Sequence, residues 1–385
     1  LLLAYSNCLK PMPVRRTSLP LCVLTLFACL LLAVPLPAQK KVEEEKPQVL
    51  ALAPEAPDFV KAETARYSYL PLPVEDNGLL SRQVEESMKN LRRLLKKRKV
   101  LRITAWVGGA GDARRVSSNI RELLAKWRMP IPAISVIRVG ALPNRASRVA
   151  FDIEIEEEDP VNPHGLLFLA GVRTVAPEFR FDIKHEFDQS IRTLEERLRE
   201  EGATPADALH VRCFVSVTED MQPLELALRQ RFPNATPRVL QSLRSSPESY
   251  ANCNLIARLG KAPVQPLEAR VITPRENEPP ITSLLKTNAR TLVISSAQLG
   301  FRATDGDLAL AFERLQNTLA AAGTTLANAA QLSILAASLD VGRRTEAQGR
   351  KYLNSRYDPA ILRVTVEGLP ALDATVSLDT IAVIP

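Results

Sequence analysis

Apolar and polar positions alternate along this chain in a pattern that occurs three times. Val84, Met88, Leu91 and Leu95 form one series, Phe187, Ile191, Leu194 and Leu198 a second, and Leu308, Phe312, Leu315 and Leu319 a third. Each series has the spacing i, i+4, i+7, i+11, which is one face of an α-helix. After each predicted helix comes a run with strand character, at 100–109, 208–217 and 329–339. A second, more polar helix follows, and then a strand that opens near a proline, at Pro132, Pro233 and Pro359. A unit of roughly 100–125 residues is too long for a solenoid repeat and suits a small domain. The pattern therefore predicts an α/β (α+β) protein built from three copies of one domain.

The punctuation between elements agrees with this reading. Gly202 and Gly323 stand after the first helix of the second and third copies, where a left-handed residue ends a helix. Thr204-Pro205-Ala206-Asp207 reads as a capped turn, with Thr as N-cap and Pro at the first helical position. The first copy lacks that turn and is the most degenerate. The expected divisions are a leader at 1–38, a flexible tether at 39–58 and a first repeat at 59–157. A second repeat covers 158–261, a Pro-rich linker 262–282 and a third repeat 283–385.

Composition narrows the class. Hydrophobic residues make up 46% of the 385 positions, enough to build buried cores, while aromatics are only 5%, so Leu, Val, Ile and Ala must fill them. Arg15 and Arg16 precede an apolar run from Leu19 to Val34 and a small-residue exit at Ala38, the layout of a secretory signal. An exported protein, periplasmic or secreted, is expected, with no stable membrane insertion once the signal is removed. The formal charge of +7 includes Lys10, Arg15 and Arg16 of that leader, so the remaining excess is mild and does not argue for a nucleic-acid partner. Of five cysteines, Cys213 and Cys253 lie beyond the leader. They read either as two buried apolar thiols or, in an oxidising compartment, as one disulfide. Two cysteines and three scattered histidines offer no metal-ligand spacing, and no cofactor is expected.

The ordered set of motifs resembles the Rid family of reactive intermediate deaminases, formerly YjgF and also known as "L-PSP endoribonuclease". Ser295-Ser296-Ala297-Gln298, Gly323-Thr324 and residues 359–370 carry the resemblance in the third copy. Gln83, Asn90 and residues 132–143 carry it in the first, and Gly202-Ala203-Thr204 with Phe214-Val215-Ser216-Val217 in the second. The resemblance implies a chorismate-mutase-like domain that assembles as a trimer with ligand clefts between subunits. Three such domains in one chain would close as an intramolecular pseudo-trimer, leaving the chain a monomer.

The resemblance also implies an arginine directly after Pro-Ala, to hold a substrate carboxylate, and a glutamate on the last strand. Those positions fall at Ile134, Ala235 and Ile361, and near Ala150, Asn252 and Ser377. Neither residue type stands at these positions in any copy. Arg363 lies two residues beyond Ile361, on the same face of a strand, and is the candidate substrate-binding residue; Arg138 has comparable parity in the first copy. No catalytic residue is assigned. The expected function is binding of a small, carboxylated metabolite in inter-repeat clefts, or a non-catalytic scaffold. An imine/enamine deaminase with a replaced anchor is the alternative, and a ribonuclease is less favoured still. The basic cluster Arg92, Arg93 and Lys96 to Lys99 reads either as a polyanion or membrane-surface contact or as a solvated helix end.

Overall fold

The structure, a computed structural model, describes residues 53–109, 112–175, 182–216, 220–246, 248–270, 283–354 and 358–385. The expected leader and residues 39–52 of the expected tether lie outside the described residues, as do residues 271–282 of the expected linker.

Strand β1 (Phe59–Glu63) leads into a first set of elements: β2 (Tyr67–Leu70), α1 (Leu80–Leu95), β3 (Lys99–Gly108), α2 (Val116–Lys126), β4 (Ala133–Val139) and β5 (Val149–Glu156). A second set follows: β6 (Leu166–Val175), α3 (Ile183–Glu200), β7 (Ala208–Val215), α4 (Gln222–Arg231), β8 (Thr236–Gln241) and β9 (Tyr250–Arg258). Two strands, β10 (Leu267–Arg270) and β11 (Ser283–Thr287), precede a third set: β12 (Thr291–Ser295), β13 (Gln298–Phe301), α5 (Asp305–Ala321), β14 (Ala329–Ala336), α6 (Leu339–Gly349), β15 (Ala360–Thr365) and β16 (Ala374–Ile384).

Each set makes a sheet of the same order: β2-β5-β3-β4, β6-β9-β7-β8 and β12-β16-β14-β15. In each, a helix joins the two parallel neighbours, β3/β4, β7/β8 and β14/β15. The other pairings along the three orders are antiparallel. The apolar faces read from the sequence are the buried faces of α1, α3 and α5. A fully buried Leu or Phe contributes about 1.5–3 kcal/mol, so four per helix hold each helix on its sheet. Gly202 and Gly323 take φ of 73° and 85°, and Thr204 with Asp207 closes a capping box.

The core divides in a way that follows from strand alternation. Three clusters lie between a sheet and its own helix pair, around Met88, Phe187 and Phe312. A fourth contains strand residues from all three sheets, including Trp106, Phe214 and Leu335. One face of every sheet is thus turned to its helices and the other to its fellow sheets.

The sheet edges depart from the boundaries expected from sequence. β1 does not fold back on β2, although only residues 64–66 separate them; it pairs with β12, Phe59 opposite Ser295 and Glu63 opposite Thr291. β11 does not fold back on β12; with β10 it extends the second sheet, Thr287 opposite Leu166. The expected linker therefore supplies a strand, and the last residues of the expected tether are held. Arg121 binds the Pro54 carbonyl at 3.2 Å and Glu55 at 2.7 Å, and Ser296 N–H donates to the Asp58 carbonyl at 2.8 Å. A lone edge strand leaves backbone N–H and C=O groups unpaired, and exchange between sheets satisfies them.

The exchanged corners meet at one end of the sheets. Thr64 N–H donates to the Arg290 carbonyl at 3.0 Å, and Asn162 Nδ2 donates to the Thr64 and Tyr67 carbonyls at 3.0 and 2.6 Å. At the other end the tips of β4, β8 and β15 meet. Arg138 N–H donates to the Gly368 carbonyl at 2.9 Å, and Gly140 N–H to the Gln241 carbonyl at 2.8 Å. Cys213 and Cys253 face each other across β7 and β9 and are joined as a disulfide. Among the described residues no helix is long and apolar enough to cross a membrane.

Candidate functional site

The candidate site is a cleft of about 330 Å³ between the second and third sheets. One wall carries Arg173 at the end of β6, Glu248, and Tyr250 and Asn252 of β9. The other carries Arg363 to Thr365 of β15 and the turn Ala337-Ser338-Leu339 that opens α6. Ser338 caps that helix by accepting from Val341 N–H at 3.3 Å, so the positive end of an eleven-residue helix borders the cleft.

Two guanidiniums from different repeats line it. Arg363 Nη1 donates to Glu346 Oε2 at 2.6 Å, and Arg173 Nη2 to Glu248 Oε2 at 2.5 Å. Arg173 also lies 4.8 Å above the Tyr250 ring. Both arginine side chains keep about a third of their surface, 35% and 34%, so both can reach a ligand. Gly342 gives Arg363 room: a Cβ there would sit 3.4 Å from its Cδ. Asn252 is buried, and its Nδ2 donates to the Arg363 carbonyl at 3.1 Å. That bond fixes the amide orientation and leaves Oδ1 without a partner. Burial raises the Tyr250 phenol above its ordinary value, so it is neutral and hydrogen-bonded to Ser242.

The cleft can hold an anion between two cations and a helix N-terminus, and it offers an amide acceptor. The two carboxylates on these arginines are engaged in ion pairs, so proton transfer by either requires breaking one. The parity argument for Arg363 agrees with the fold, since Ile361 and Arg363 both face the helix side of the third sheet, Ile361 in its apolar cluster and Arg363 on α6. Ile134 is buried in the first helix-side cluster. In the second copy the register places Pro237 opposite Val211, as Ile134 stands opposite Ile103 and Ile361 opposite Leu332. Pro237 rather than Ala235 is therefore the equivalent residue, because the second copy has two additional residues after Pro233. Arg138 meets Gly368 at a strand-tip junction, outside this cleft. Arg173 and Tyr250 were missed by sequence reasoning; the registers align Arg173 with Leu299 of the third copy, so no motif marked it.

A second polar constellation lies in the shared core. Asp152 accepts from Trp106 Nε1 at 2.7 Å, Arg238 Nε at 3.0 Å and Arg212 Nη1 at 3.3 Å. Arg102 bridges Glu154 at 2.6 Å and Asp379 at 2.9 Å. Burial alone would raise Asp152, but His210, Arg238 and Arg212 outweigh it and hold the carboxyl well below the usual range. Burial depresses His210 to about 4, although Asp152 pulls the other way. Its Nδ1 lies 2.8 Å from the Thr236 carbonyl, so Nδ1 carries the proton. These groups are buried away from any cleft described above and join strands of all three sheets. No cluster of metal-ligating residues occurs among the described residues.

No protein-family model matches the chain, and no curated protein matches it. Solved structures do. A member of the highly conserved YjgF/YER057c/UK114 family from Mycobacterium tuberculosis is 21% identical over 24% of this chain and 79% of its own, with a TM-score of 0.23. RidA from the Antarctic bacterium Psychrobacter sp. is 21% identical over 31% of this chain and 99% of its own, with a TM-score of 0.23. A YjgF-family protein from Neisseria meningitidis is 16% identical over 31% of this chain and 95% of its own, with a TM-score of 0.23. Each spans a quarter to a third of this chain.

Proposed function

We propose that this chain is three divergent Rid-like domains closed into an intramolecular pseudo-trimer, and that its second–third cleft binds a small carboxylated metabolite without deaminase turnover. The three identical strand orders and the shared core support the first part. The observation that carries the second is the pair of half-exposed guanidiniums, Arg173 and Arg363, contributed by different repeats to one cleft. A guanidinium fork matches two carboxylate oxygens. The absent chemistry supports a binding role: the position corresponding to the family glutamate is Asn252 here, a neutral amide, and Ile361 is 1% exposed, turned into the helix-side core. Export from the cell remains part of this proposal on the strength of the leader alone.

The test is calorimetric titration of the protein with pyruvate and 2-oxobutanoate, stable carboxylates of the expected size. A charge-assisted hydrogen bond contributes about 1.5–3 kcal/mol, so Arg363→Ala and Arg173→Ala should each weaken binding by roughly ten- to a hundred-fold. Unchanged affinity in both variants would overturn the proposal. In a coupled assay with 2-iminopropanoate the wild type should give a rate near the uncatalysed background. Robust turnover abolished by Arg363→Ala would establish the deaminase instead.

A further inference from the structure

We propose that the end of the first repeat, where the last turns of α1 and α2 lie together, is a docking surface for an anionic phospholipid bilayer. From residue 87 to 99 the chain contains seven cations and no acid: Lys89, Arg92, Arg93, Lys96, Lys97, Arg98 and Lys99. The two helices end side by side, with the Arg92 guanidinium 5.4 Å above the Trp127 ring, which adds Arg128 to the cluster. Lys89 is neutralised by Glu85 and Glu86 at 3.0 Å, Arg98 and Lys99 by Glu157 at 3.4 Å and Glu156 at 3.8 Å, and Arg93 donates to Asn90 Oδ1 at 2.9 Å. Among the described residues no carboxylate lies within ion-pair distance of Arg92, Arg93, Lys96, Lys97 or Arg128, all of them exposed.

The other two copies act as internal controls. At the ends of α3 and α4, Arg199 pairs with Glu195 at 3.6 Å and Arg231 with Glu195 at 2.7 Å. After α6, Arg350 pairs with Glu346 at 2.9 Å and Asp358 at 2.8 Å, and the last turn of α5 carries no cation. The same end is neutralised twice and left charged once. Helix dipoles do not account for the difference: two C-termini present about half a charge each, which one cation apiece satisfies.

Backbone geometry adds an independent observation. Lys96, which ends α1, takes φ of 54° where the matching helices α3 and α5 are followed by Gly202 and Gly323, and Arg128, just after α2, takes φ of 56°. Side chains are disfavoured in this region, so both positions hold a cation where glycine would relax the backbone.

The occupant follows from charge and from where the chain arrives. Pro54 and Glu55 are bound to Arg121, little more than one turn before Lys126 on α2, so the chain enters the fold beside this patch. A cluster of cations without acid partners suits an anionic lipid surface, and each cation near such a surface strengthens binding by about five-fold. Nucleic acid fits less well, because Arg92 covers the Trp127 face that a base would need.

The experiment is flotation of the full chain with vesicles of phosphatidylcholine alone and of phosphatidylcholine with phosphatidylglycerol. The first measures binding that does not depend on lipid charge, and the excess in the second measures the patch. The expected result is an excess that falls with salt and drops more than ten-fold in the double variant Lys96→Gly with Arg128→Gly. That variant should melt no lower than wild type, because glycine suits both positions. An undiminished excess in the variant, no preference for anionic vesicles, or displacement of the protein from them by single-stranded RNA at equal charge would each overturn the proposal.

Discussion

His210 is neutral in the folded chain because no solvent reaches its ring, which stacks on Tyr69 at 4.3 Å. Its folded value is about 4, against 6.5 when exposed. Between those limits the unfolded chain binds a proton that the folded chain refuses, so stability is full above pH 6.5 and falls as pH drops toward 4. A tenfold difference in proton affinity between the two states is worth about 1.4 kcal/mol, which predicts a loss of roughly 3 kcal/mol across that window. Thermal melts from pH 7 to 4 should show this decline, and His210→Gln should flatten it. The neighbouring Asp152 has the opposite character. Three donors depend on it, so Asp152→Ala should cost about 3–5 kcal/mol by leaving Arg238 and Arg212 buried and unpaired. A denaturation midpoint within error of wild type would show that the network is not coupled to folding.

At the level of elements the exchanged strands matter most. β1 belongs in sequence to the first repeat and in space to the third sheet. Deleting residues 53–63 should therefore speed hydrogen exchange in β12 and β16 more than in β3 and β5, since β12 loses its outer partner. The reverse order would contradict the observed pairing. The corner before β6 is equally constrained. Gly165 has φ of 98°, and a Cβ on it would lie 2.0 Å from the Thr287 carbonyl. Gly165→Ala should push β11 off β6 and lower the melting temperature, at a cost above the ~1 kcal/mol of an ordinary Gly-to-Ala clash with a left-handed backbone.

For the whole molecule, three sheets share one core, and edge strands pass from one repeat to the sheet of another; in the proposed pseudo-trimer the surfaces that a homotrimer would use between chains are consumed within one. Light scattering should report a monomer, and a trimer of chains near neutral pH would contradict the closed arrangement. The closure also explains why the chain carries an unusually polar centre. Asp152 with Arg238 joins the first and second sheets and Arg102 with Asp379 joins the first and third, so these charges are paired only where the sheets meet. Such pairs add little net stability over apolar packing, and their contribution is to make one register the satisfied one.

Local physics was legible in the sequence. The helix faces of α1, α3 and α5, the left-handed Gly202 and Gly323, the Thr204 turn and the repeated strand order all depend on residues within a few positions of one another, and periodicity records them. The shared face of Ile361 and Arg363 was legible for the same reason, since it needs only the two-residue period of a strand. Partner choice was not. Nothing in residues 59–63 states that they pair with 291–295 rather than with the adjacent β2, because either pairing satisfies the same backbone groups and the same alternation. The two-residue offset that replaces Ala235 by Pro237 is likewise invisible without the register against β7. The cleft itself, with Arg173 and Arg363 separated by 190 positions of chain, exists only once two sheets are brought together. Alternation along a strand set which side each residue faces, and the closing of the sheets on one another decided which residues it faces there.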